Sequence, residues 1–132
     1  MEKTLREVQN KLMRGLLDLV ILQFLKSNPM HGYQIISSIR RNFGVYFGPS
    51  TIYPLLSLLE EKGYVESTWD LTNQRPRKVY TLTSEGEGLL GCTEDSLNVI
   101  CHKLASIGMG KLSLNDIFGK HIGTTVKGPN GR

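Results

Sequence analysis

Tryptophan occurs once and cysteine twice in these 132 residues, and each scarcity excludes something. The longest apolar run, "LLDLVILQFL" from Leu16 to Leu25, contains Asp18 and follows Arg14. It falls short of the ~20 uninterrupted residues that a membrane span needs, so it reads as a buried core helix and a membrane partner is not expected. The start of the chain lacks the charged, apolar and small-residue succession of an export signal, so a cytoplasmic location is expected. Cys92 and Cys101 stand nine positions apart in one helical segment, on opposite faces and roughly 13 Å apart along the axis, which excludes a bond between them. Helix-packing thiols and a redox sensor both stay open. With His31, His102 and His121 the cysteines form no CxxC or HxxxH spacing, so no zinc site is expected. Nor is there a nucleophile beside a base, a metal cluster or a glycine-rich loop after a strand. The reading is therefore no enzyme, no cofactor and no metal.

What is present is enough apolar material for one ordinary core, 39% of residues, with an appendage left over. The net charge is +4, and it is uneven: residues 1–83 hold 11 Lys and Arg against 7 Asp and Glu, residues 84–132 five against five. Two clusters stand out, Arg40 with Arg41 and Arg75 with Arg77 and Lys78. Basic charge confined to two spots points toward nucleic acid more strongly than the total does.

The periodicity predicts a first helix over about Thr4 to Leu25, amphipathic early (Leu5, Val8, Leu12, Leu16, Leu19) and apolar nearly all round from Leu16 onward, as at the centre of a fold. Gly15 inside it costs about 1 kcal/mol against alanine, which a close helix crossing would explain. After Asn28 and Pro29 a second helix is expected over His31 to Asn42, with Ile35, Ile36, Ile39 and Phe43 inward and Gly44 as its stop. A third helix lies within "PSTIYPLLSLLEEKGYV", residues 49–65. Ile52, Leu55, Leu56 and Leu59 share one side, and Ser50, Tyr53, Pro54, Ser57 and Glu61 the other. Ser50 or Thr51 can cap this helix, and Thr51 spares the amide that Pro54 lacks; Gly63 ends it. Tyr64–Trp69 and Arg77–Leu82 alternate as two strands around a turn that carries Arg75. Thr83 or Ser84 then caps a last helix to about Ile107, Ser84 with Glu87 as a capping box. Its narrow seam of Leu90, Leu97, Ile100, Leu104 and Ile107 suits pairing with another helix. One further turn over 111–118 and a flexible tail over 119–132 complete the reading.

Three helices followed by a hairpin is the order of a winged helix-turn-helix domain, mainly α within the α+β class, here spanning 1–83 with a C-terminal dimerisation helix and short extension at 84–118. In that fold the third helix enters the major groove, so its outward face must be slim and carry short hydrogen-bonding groups. Ser50, Thr51, Tyr53 and Ser57 meet that need. Arg75, Arg77 and Lys78 on the wing would neutralise phosphates. Arg40 and Arg41 close the second helix, where positive charge suits the helix dipole and also phosphate contact.

The motifs "PMHGYQI" at 29–35, "STIYPLLSLLEEKGYV" at 50–65, the tryptophan at 69 and "RPRKVYTLTSEG" at 75–86 resemble, in order and spacing, the PadR family of transcriptional regulators over roughly residues 10–90. The resemblance implies a homodimeric repressor on a pseudo-palindromic operator in double-stranded DNA, often released by a small-molecule effector, with the last helix and the first making the dimer. It places Ser50, Thr51 and Tyr53 at the recognition-helix start, Tyr53 toward phosphate; a partly buried ring beside the hairpin is the alternative. Tyr80 falls at a packing position behind the wing. Trp69 is expected to pack the wing on the third helix, with a ligand role as the alternative. His31 is expected at the start of the second helix as a satisfied cap, not as a catalytic or metal-binding group. Gln74 replaces the family's glycine in the wing turn, so Asn73 is expected to take the left-handed conformation. No aromatic lies between Ser84 and Ile107, so no drug or phenolic-acid site is carried over. A winged-helix protein-interaction module without DNA binding is the competing class, supported by Glu60 and Glu61 near the end of the third helix.

Overall fold

The computed structural model describes residues 2–109; the turn expected at 111–118 and the tail lie outside them. In chain order the elements are α1 (Glu2–Ser27), β1 (Met30–His31), α2 (Gly32–Phe43), α3 (Pro49–Glu61), β2 (Val65–Asp70), β3 (Arg77–Leu82) and α4 (Ser84–Leu104), with one π-helical turn at Ala105–Met109. The sheet is antiparallel in the order β1-β3-β2. Its third strand was not expected, because two residues are too few to show an alternation. β1 pairs Met30 with Tyr80 and His31 with Val79, which ties the start of α2 to the wing. One compact unit ends at Gly91, inside α4, and a second begins at Cys92. No described helix is long and apolar enough to cross a membrane.

The all-round apolar half of α1 sits where its pattern requires: Leu17, Val20, Ile21, Leu22 and Leu25 are buried, with Leu16, Leu19 and Phe24 packed partly against them. Ile35, Ile36 and Ile39 of α2 and Ile52, Leu56 and Leu59 of α3 close the same core. Each such burial contributes roughly 1.5–3 kcal/mol. The amphipathic N-terminal half of α1 does not reach this core, and Leu5, Val8 and Leu12 stand 58%, 48% and 62% exposed. Gly15 meets nothing within 4 Å of a Cβ built on it, so no close helix crossing explains it.

Helix ends follow backbone geometry more than the expected caps. α2 closes on left-handed Gly44, whose amide bonds the Arg40 carbonyl at 2.9 Å. α3 closes in a Schellman pair, Tyr64 N to Leu59 O at 2.9 Å and Gly63 N to Glu60 O at 3.0 Å, with Gly63 at φ 84. The N-cap of α3 is Gly48, not Thr51, because Pro49 takes the first helical position, where a missing amide costs nothing. Pro54 consequently stays inside the helix and offers no amide to the Ser50 carbonyl.

The cap of α4 is Thr83, so the Ser84–Glu87 capping box is not the one used. The Thr83 hydroxyl accepts the Gly86 amide at 3.0 Å and donates to the Gly63 carbonyl at 2.7 Å. The Thr83 amide donates to the Tyr64 carbonyl at 3.2 Å. One residue thus joins the end of α3, the end of β3 and the start of α4. Gly86 is buried, and a Cβ there would run into the Tyr64 carbonyl and the Leu82 side chain. Leu90, expected on a partner-facing seam, is 1% exposed in the core instead, one turn past that close approach.

These contacts predict opposite signs for two neighbouring glycines. Gly86→Ala should destabilise by about 1–3 kcal/mol, since backbone must move. Gly88→Ala, with nothing within 4 Å, should stabilise by about 0.5–1 kcal/mol. Urea melts of the two variants check both; equal shifts in one direction would contradict the packing described.

Candidate nucleic-acid interface

With Ile52, Leu56 and Leu59 sealed inward, the opposite side of α3 is open: Ser50, Tyr53, Pro54 and Ser57 are exposed, and Thr51, at the flank, is half-buried. Leu58, 44% exposed, adds an apolar group to that surface. The hydroxyl-bearing face expected of a groove-entering helix therefore faces solvent as one strip.

Tyr53 packs on the start of α2. A Cβ on Gly32, the first residue of α2, would overlap the Tyr53 ring, so the ring lies flush on the start of α2 while 40% of the residue stays exposed. Glycine at position 32 makes that approach possible. Gly32 carries no periodic signal, and only its place directly after the N-cap position of α2 marks it in the sequence. Tyr80, paired with Ser67 and Met30 across the sheet, is 4% exposed, as a packing position requires. Burial raises its phenol above the ordinary range, helped by the charge of Glu60 and by Tyr53.

The start of α3 has a second aromatic neighbour. Tyr46, 61% exposed, lies over Gly48, its hydroxyl 3.0 Å from where a Cβ would stand. The Arg40 guanidinium sits 5.9 Å from the Tyr46 centroid, so Arg40 is carried from the last turn of α2 toward the α3 N-terminus. Arg41 takes another course and donates to Ser38 Oγ at 3.4 Å. Tyr46 was not singled out from sequence, because one aromatic in a loop has no period.

The three wing cations do not form one cluster. Adjacent strand positions face opposite sides, so Lys78 shares a face with Trp69, its cross-strand partner, and Arg77 faces away, paired with Asp70. The Lys78 ammonium lies 5.7 Å from the Trp69 centroid. Trp69 is 60% exposed, which corrects the expectation that it packs the wing on α3; that contact is made by Ser67, which donates to Glu60 at 2.6 Å. Arg75 and Arg77 line an open cleft of about 580 Å³ with Tyr33, Asn73 and Pro76. Among the described residues no non-glycine has positive φ, so Asn73 does not make the left-handed turn. The carboxylate of Asp70 holds the chain instead, accepting the Thr72 amide at 3.1 Å and its hydroxyl at 2.6 Å. Those two bonds keep the Asp70 carboxyl below its ordinary pKa.

His31 stands at the N-cap of α2 in extended conformation, and its amide donates to Gln34 Oε1 at 3.0 Å. Its side chain makes no cap hydrogen bond, and its Nδ1 is buried without a partner among the described residues, so the expected satisfied cap is not formed. Burial, and then the charge of Arg77, lower the imidazole below its ordinary 6.5, with Asp70 opposing. The folded chain therefore binds fewer protons than the unfolded chain below pH 6.5, and stability falls as pH drops from there toward the folded value. Asp70 acts in a separate window, its contribution present above its ordinary 3.8 and lost on further acidification. Urea midpoints taken from about pH 7.5 down to about pH 5 should decline in the parent chain and decline less in His31→Gln. Parallel curves would show that His31 does not supply the slope.

Residues 21–91 match the family described as "Transcriptional regulator PadR-like family". The chain is 34% identical over 91 residues to "Transcriptional regulator Rv3488" of Mycobacterium tuberculosis (strain ATCC 25618 / H37Rv), covering 69% of this chain and 78% of that protein. A PadR family regulator from Eggerthella lenta DSM 2243 superimposes with a TM-score of 0.74 at 29% identity, covering 83% of this chain and 96% of the other. Bacillus subtilis PadR in complex with operator DNA superimposes with a TM-score of 0.54 at 30% identity, over 60% of this chain and 46% of that one. The helix order, the exposed face of α3 and the wing agree with these likenesses, and the chain belongs to the PadR-like family of transcriptional regulators, winged-helix proteins that bind DNA and are not enzymes.

Proposed function

We propose that the protein is a cytoplasmic repressor that binds a pseudo-palindromic operator as a homodimer, α3 in the major groove and the wing on the flanking backbone. The observation that carries this reading is the strip of Ser50, Tyr53 and Ser57, held open by the burial of Ile52, Leu56 and Leu59 behind it. Short hydroxyls there can reach base edges, while Arg40, Arg75, Arg77 and Lys78 supply sequence-independent attraction. The operator complex of Bacillus subtilis PadR, a protein of the same fold, supports this use. A small-molecule effector belongs to the reading by family resemblance, with no chemistry assigned to it.

A dimer follows from contact number, since one module makes too few contacts for operator affinity and two place their helices about 34 Å apart. Two apolar stripes are available to a second copy: Leu5, Val8 and Leu12 on α1, and Ile100, Leu104 and Ile107, at 53%, 46% and 80% exposure, on and after α4. The protein-docking alternative drew on Glu60 and Glu61. Glu60 is engaged inside the chain by Ser67, so only Glu61 still serves it.

Mobility shifts on the chain's own upstream DNA at two salt concentrations test the reading. Neutralising Arg75, Arg77 and Lys78 together should weaken binding to every sequence and lower the salt slope by about 2–3; Ser50→Ala should change sequence preference instead. Full affinity and an unchanged slope in the triple variant would sink the wing's role. For the dimer, Leu12→Asp combined with Ile100→Asp should sediment as a monomer and lose roughly 100-fold or more in DNA affinity. A variant that stays dimeric would place the interface elsewhere.

A further inference from the structure

Trp69 is the one tryptophan of the chain, and the fold leaves it 60% exposed, forgoing most of the apolar burial that an indole can supply. It is nonetheless placed. It shares a sheet face with Ser67 and Tyr80, and that face is turned to α3, because Ser67 bonds Glu60 and Tyr80 is buried beside it. Across β3, Lys78 holds its ammonium 5.7 Å from the ring centroid. A cation resting on an aromatic ring has fewer rotamers to lose when it meets an anion.

The pair narrows the chemistry of its partner. A greasy protein pocket would suit the ring but would desolvate the ammonium beside it without a counter-charge, which is costly. The sugar-phosphate backbone of duplex DNA offers both needs side by side: an apolar deoxyribose for the indole, and phosphate oxygens for the ammonium and for the indole N–H, a donor only. We infer that Trp69 is a DNA-backbone contact of the wing and holds Lys78 in position for a phosphate. This rests on the DNA-binding reading above and adds to it a residue that packing alone does not explain.

The single indole reports on itself. The full chain is mixed, at roughly 50 mM salt, with a duplex of about 40 base pairs from its own upstream region, and complex formation is followed separately by anisotropy of a dye on the DNA. Acrylamide quenching of Trp69 should fall about twofold or more in the complex, and Trp69→Ala should weaken binding about tenfold. The melting temperature of Trp69→Ala should fall by no more than a few degrees, the loss of one largely exposed cross-strand pair. The double variant with Lys78→Met should lose less than the product of the two single losses. A complex in which Trp69 is as quenchable as in the free chain overturns the inference and leaves DNA binding standing. Absence of any complex at that salt overturns both.

Discussion

The side of α3 that meets solvent is decided by the side that cannot. Ile52, Leu56 and Leu59 are held against the core that the second half of α1 builds, and turning α3 by even one residue would expose them and bury Ser50 or Ser57. Rotations of that size lose several kcal/mol of apolar burial and strand hydroxyls without partners. The outward face is thus fixed by the core and not by the groups it displays.

Around that helix the structure uses small residues to bring larger ones close. Gly32 lets Tyr53 lie on the start of α2, and Gly86 lets α4 begin against the Tyr64 carbonyl. Thr83 joins the same corner through three hydrogen bonds. The short strand β1 serves a related end: by pairing with β3 it makes the start of α2 continuous with the wing, so both belong to one sheet.

Much of the candidate site was legible beforehand because it follows helical and strand periods. The inward leucines of α3, the exposure of Ser50, Tyr53 and Ser57, and the hairpin bearing Arg75, Arg77 and Lys78 all follow from spacing. Tyr46, Gly32 and Arg40's place over Tyr46 did not, since each depends on loop residues brought together by the packing of α2 and α3. Trp69 was misplaced because an aromatic in a strand usually packs inward, whereas the contact with α3 is made by Ser67 two residues earlier and leaves the ring 60% exposed beside Lys78. Leu90 fell on the seam of exposed apolar residues by period alone, and only packing separates it from Ile100, Leu104 and Ile107.

Element order, the inward faces of α3 and of the second half of α1, and the sign of charge on the wing were readable from side-chain period and composition within single segments. By contrast Phe43, expected inward on α2, stands 44% exposed, and Leu90 is buried. Folding settled the rest: which cation meets which ring, how Arg77 and Lys78 come to have different companions on opposite faces, and the choice of Thr83 over Ser84 as the cap of α4. Those outcomes depend on distances between segments far apart in the chain, and a distance of that kind exists only once the core has closed.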